Sequence, residues 1–145
     1  MRYMLRSVAL AATLGVALMS APAYAATEHF AATLTAAAET PPTSSNGSGT
    51  LTATLDTKTL KFSWKVTYKG LTGNATAAHF HGPAAVGASA SPVIPIKGSL
   101  VSPINGSATL TKAQAADLEA GMWYFNIHTA KNPGGEIRGQ VTKQK

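Results

Sequence analysis

The 145-residue chain contains no cysteine. That excludes disulfides, thiolate metal sites, cysteine nucleophiles and iron–sulfur clusters together. Charge is scarce as well: Asp, Glu, Lys and Arg make up 12% of the residues, against a usual share of roughly 25%. A highly charged disordered chain does not fit that composition. Asp and Glu number 6 in all. None form a close pair suited to glycoside hydrolysis. Asp56 and Asp117 are the only aspartates, and neither suggests a Ser–His–Asp arrangement. The residues therefore assign no catalytic group. The 12 Lys and Arg give a formal charge of +6. Without Arg2 and Arg6 the balance is 10 minus 6, or +4. The remaining cations are scattered singly, and no nucleic-acid partner is expected. The length allows one domain around one core.

Long apolar runs are also few. The chain opens with the cationic stretch Met1–Arg6, followed by the uncharged run Ser7–Ser20. Ala21-Pro-Ala-Tyr-Ala25 then places small residues at the −3 and −1 positions of a signal peptidase site. We read residues 1–25 as a secretory signal peptide and 26–145 as the mature domain, periplasmic or secreted. No later segment is long enough to span a membrane.

What remains reads as strands. In Leu60–Tyr68 the residues Leu60, Phe62, Trp64, Val66 and Tyr68 share one parity, and Lys61, Ser63, Lys65 and Thr67 the other. That period of two marks a strand with one buried face. Leu51, Ala53 and Leu55 alternate with threonines just before it, so a hairpin turning at Asp56–Thr59 is predicted. Further strands are expected at Phe30–Ala36, Ala75–His81, Val93–Ile96, Ile104–Leu110, Met122–Thr129 and Glu136–Thr142. Prolines around Val93 suggest an edge. One short helix is predicted over about 112–120, with Thr111 as N-cap, Gln114 completing a capping box and Gly121 as the stop. The pattern is all-β: a Greek-key-like antiparallel β-sandwich or barrel with that one helix. Pro41–Gly49 reads as a mobile polar loop, and Gly82–Ser91 as a flap of small residues.

The chemistry lies with histidine. His79 and His81 are two residues apart on a strand, so both imidazoles face one way while Phe80 faces the core. The same parity puts Tyr124, Asn126 and His128 on one face of their strand, opposite Trp123, Phe125 and Ile127. It puts Glu136, Arg138 and Gln140 opposite Ile137. If those strands are neighbours, His79, His81 and His128 form one polar face, flanked by Glu136, Arg138, Tyr124 and Asn126. Three imidazoles suit zinc or copper. The competing reading is a structural polar network in which Glu136 and Arg138 pin loops. His29, the fourth histidine, is expected on a strand surface. It would join an amino-terminal copper chelate only if cleavage followed Ala26.

The strings Ala78-His-Phe-His-Gly-Pro-Ala84, Gly121-Met-Trp-Tyr-Phe-Asn-Ile-His-Thr129 and Asn132-Pro-Gly-Gly-Glu-Ile-Arg-Gly-Gln140, with Glu39-Thr-Pro-Pro42 upstream, closely resemble the CHRD domain. This domain occurs in chordin and in exported bacterial proteins. The resemblance runs from about Thr27 to Val141. It implies an extracellular binding or architectural module. Chordin's antagonism of growth factors does not carry over, because its cysteine-rich domains have no counterpart here. A weaker likeness, to copper/zinc superoxide dismutase, rests on the order of His79, His81 and His128. The bridging histidine, the zinc-site loop and the disulfide of that enzyme have no counterpart. Three readings follow: a binding module that takes copper or zinc, a structural or protein-interaction module of the cell envelope, and a copper-dependent dismutase-like enzyme.

Overall fold

The computed structural model describes residues 24–145. All but the last two residues of the expected signal segment lie outside the described residues. Eight strands form one sheet: β1 (Thr27–Thr35), β2 (Ser48–Asp56), β3 (Lys61–Lys69), β4 (Ala75–His81), β5 (Pro92–Pro95), β6 (Ile104–Thr109), β7 (Trp123–Thr129) and β8 (Ile137–Lys143). Their order is β5-β4-β7-β8-β1-β2-β3-β6, and every pairing is antiparallel. The sheet curls into a nearly closed barrel. The connections from β3 to β4 and from β6 to β7 join strands that are not neighbours, as in a Greek key. β5, the proline-bounded strand, is an edge, as its composition implies. A groove of about 420 Å³ separates it from the other edge, β6.

The alternation in β3 places Phe62, Trp64 and Val66 inside the barrel. Leu51, Ala53 and Leu55 of β2 face the same core. The β2–β3 turn closes where Asp56 Oδ1 accepts the N–H groups of Lys58 and Thr59 at 2.9 and 2.8 Å. Leu60 follows with φ of 58°, a left-handed conformation that costs a branched residue about 1–2 kcal/mol. The predicted helix, α1 (Lys112–Glu119), carries the full capping box of Thr111 and Gln114. It sets Ala115 and Leu118 against the core.

β7 and β8 form the floor of the polar face. Their inward residues Trp123, Phe125, Ile127, Ile137 and Val141 are fully buried. Outward residues Tyr124, Asn126 and Arg138 are buried too, because loops cover that side. The segment read as mobile, Pro41–Gly49, is tied down there: Thr43 Oγ1 donates to the Glu136 carbonyl at 2.8 Å. The hydroxyls that made it look like a solvated loop are its fasteners.

Candidate metal centre

β4, β7 and β8 are adjacent, which turns the parity argument into geometry. His79 pairs with Asn126, His81 with Tyr124 and Ala77 with His128. Asn126 in turn pairs with Arg138. Phe80, between the two histidines of β4, is fully buried among Phe62, Trp64, Trp123 and Phe125. With that ring anchored inside, both flanking imidazoles are aimed outward. Their ring centroids are 5.4 Å apart, and that of His128 is 4.9 Å from that of His79. One ligand atom from each of the three lies within 4.8 Å of the others.

Hydrogen bonds to backbone set the tautomers. A carbonyl oxygen only accepts, so His81 Nδ1 donates to the Ala90 carbonyl at 2.8 Å. His128 Nδ1 donates to the Pro133 carbonyl, also at 2.8 Å. In a neutral imidazole the opposite nitrogen is then a bare lone pair. Both Nε2 atoms point at Asn126 Oδ1, at 3.1 Å from His81 and 3.0 Å from His128. Three acceptors therefore converge. The proton of His79 Nδ1, 3.0 Å from His128 Nε2, reaches only one of them. His81 Nε2 faces Asn126 Oδ1, an oxygen with no proton to give. Such a cluster holds a net demand for positive charge.

Protonation of His79 or His81 meets that demand poorly. Burial holds the His79 and His81 imidazoles below their ordinary value of 6.5. For His79 the neighbouring His128 and His81 add to the lowering. For His81 the bonds to Ala90 and Asn126 oppose the burial, while His128 and Arg138 reinforce it. A lowered folded value means the fold binds fewer protons than the unfolded chain. Stability from these groups is complete above the ordinary value and is lost as pH falls below it. Proton NMR titration of the metal-free protein should show both rings titrating below 6.5. A midpoint at or above that value contradicts this electrostatic picture.

The wall behind His81 is aromatic and cationic. The Tyr124 ring stacks on His81, with centroids 4.6 Å apart and planes 4° from parallel. The Arg138 guanidinium lies over the Tyr124 ring, 3.4 Å from its centroid. Arg138 Nη2 also donates to the Ala88 carbonyl at 2.6 Å, and Gln140 Nε2 to that of Ala84 at 2.8 Å. The Gly82–Ser91 segment is thus strapped across the face by side chains of β7 and β8. His81 beneath it is buried, whereas His79 and His128 are half-buried. The face is covered at one end and open at the other.

Glu136 sits apart from this arrangement. Its hydrogen bonds go to Ser45, Thr72, Thr129 and Asn132, none to a histidine. It does not pair with Arg138 either: each pins a different loop. Glu39, to which the residue pattern assigned no role, lies buried beside the site. Its Oε1 meets no donor in bonding geometry. Burial pushes its carboxyl up, against the lowering effects of the Thr40 N–H, the Arg138 charge and the Asn126 amide. Gly135 explains how they fit: a Cβ there would collide with Glu39 Oε1 and come within 2.8 Å of Asn126 Nδ2. His29 is exposed on β1, on a different part of the sheet.

Three imidazoles, two of them oriented by carbonyls behind them, make a nitrogen donor set with its outer shell in place. Among the described residues it is the one group of three or more histidine or acidic side chains close enough to share an ion. No helix among them is long and apolar enough to cross a membrane. A family model described as the CHRD domain matches residues 30–141. No curated protein and no solved structure matches the chain.

Proposed function

The chain belongs to the CHRD domain family, and from that premise we propose that it is an exported binding module whose histidine face takes one copper or zinc ion at His79, His81 and His128. The observation that carries this reading is the pair of Nε2 lone pairs on His81 and His128. Both are locked outward by backbone carbonyls, and both face an acceptor oxygen. A divalent ion satisfies all of them at once. Imidazole donors without thiolate suit zinc and copper(II) alike. Export rests on the signal-like residues 1–25.

A second reading has its own support. Arg138, Gln140 and Tyr124 hold the Gly82–Ser91 segment without help from any ion. In that reading the face is a structural lock within a protein-interaction module.

Calorimetric titration separates the two. The mature protein, untagged, is titrated with Cu²⁺ and with Zn²⁺ beside a His79→Ala/His81→Ala variant. The metal reading expects one equivalent bound by the wild type and none by the variant. No uptake, or uptake unchanged in the variant, leaves the structural module.

A further inference from the structure

We propose that Asn126 is a fourth metal ligand, through Oδ1, completing an N₃O site with the three histidines. The proposal rests on the metal reading above and goes beyond it, since that reading needs imidazoles alone. Asn126 is buried and lies opposite His79 in the β4–β7 pairing. Its Oδ1 stands 3.0 and 3.1 Å from the Nε2 atoms of His128 and His81. Neither nitrogen carries a proton toward it, because both protons are on Nδ1 and engaged with Pro133 and Ala90. With both rings neutral, hydrogen bonding does not account for the approach.

Coordination does. A tetrahedral ion with bonds of about 2.0–2.1 Å separates its ligand atoms by about 3.3–3.4 Å. Three pairs come close to that: His79 Nδ1 stands 3.0 Å from His128 Nε2, and Asn126 Oδ1 stands 3.0 and 3.1 Å from the Nε2 atoms of His128 and His81. These pairs need only a few tenths of an ångström of expansion, while the histidine ligand atoms, spread over up to 4.8 Å, must also close in around the ion. The orientation of the amide is set from behind. Asn126 Nδ2 and the buried Glu39 carboxylate crowd the same point above Gly135. An amide turned over would satisfy the two imidazoles by donation, but would set Oδ1 against that carboxylate. The carboxylate therefore favours the NH₂ group on its own side and the oxygen toward the histidines.

Cobalt(II) reads the ligand count directly, since a four-coordinate ion absorbs more strongly in the visible than a five- or six-coordinate one. Wild type, Asn126→Ala and Asn126→Asp are each titrated with Co²⁺ alone, and affinity is measured by competition with a chelator. The intense four-coordinate band is expected in wild type. In Asn126→Ala the band shifts as one water takes the vacated position, and weakens if a second enters, with affinity lower by about tenfold or more. In Asn126→Asp a neutral oxygen ligand becomes an anionic one, so the band keeps its strength but shifts in position, and affinity rises above that of wild type. Wild-type band and affinity retained in Asn126→Ala overturn the fourth ligand while leaving the histidine site standing. Absence of Co²⁺ uptake by wild type overturns both. If Asn126→Ala does not fold, Asn126→Asp decides: a spectrum and affinity identical to wild type exclude direct ligation.

Discussion

Replacing Glu136 by glutamine is expected to remove about 3 kcal/mol or more of folding stability. Five donors converge on this fully buried carboxylate. Oε1 accepts from Ser45 Oγ at 2.5 Å and Thr72 N at 2.7 Å. Oε2 accepts from Thr72 Oγ1 at 2.7 Å, Thr129 Oγ1 at 2.5 Å and Asn132 Nδ2 at 3.1 Å. Glutamine keeps the shape, but its NH₂ group must confront donors on one side. The whole domain is held by about 5–15 kcal/mol, so the loss should show plainly in urea denaturation.

The same residue sets an acid limit. Burial by itself would raise the Glu136 carboxyl, but the bonds from Ser45, Thr129 and Thr72 outweigh it and hold the group at about 2, down from 4.5. A depressed folded value contributes stability that is complete above about 4.5 and is lost as pH falls toward about 2. Glu39, whose value is raised, acts in the opposite sense, so the difference between wild type and variant isolates Glu136. Wild type should lose stability steeply through that window, and Glu136→Gln should lose less. An acid slope unchanged in the variant contradicts the assignment.

Phe80→Ala is expected to cost about 3–5 kcal/mol. The Phe80 ring meets Phe62 at 5.3 Å, Trp64 at 5.1 Å, Trp123 at 6.0 Å and Phe125 at 4.8 Å, centroid to centroid. No other residue of β4 reaches so many aromatic partners. Its loss also loosens the strand that aims His79 and His81, so metal uptake should weaken although no donor atom is removed. His79→Ala is the contrast: a half-buried imidazole whose one side-chain hydrogen bond goes to His128. It should cost less than about 1 kcal/mol and still reduce metal affinity. Thermal melts and calorimetry on the two variants check both halves. Equal loss of stability in the two would show that β4 is not anchored through Phe80.

Much of the scaffold was legible residue by residue. The alternation from Leu60 to Tyr68, the Thr111–Gln114 capping box and the prolines bounding β5 report local geometry, and local geometry follows from side-chain chemistry. The parity of His79, His81, Tyr124, Asn126 and His128 was legible for the same reason. Their convergence was not, because it depends on β4, β7 and β8 being neighbours, a long-range fact. The two carbonyls that orient His81 and His128 belong to Ala90 and Pro133, whose side chains carry no signal of that role. Glu136 was placed by parity near the histidines. Its donors come from three separate loops and the end of β7, and only the closed fold shows that they claim the whole carboxylate. The Pro41–Gly49 loop misled for a related reason: Thr43 and Ser45 look solvated until the buried groups they bind are in view.

The most direct measurement is anomalous diffraction from crystals of the mature protein grown with one equivalent of zinc or copper. A single strong peak is expected, bonded at about 2.0–2.1 Å to nitrogens of His79, His81 and His128. A peak elsewhere, on His29 or the amino terminus, or no peak between those three imidazoles, would contradict it.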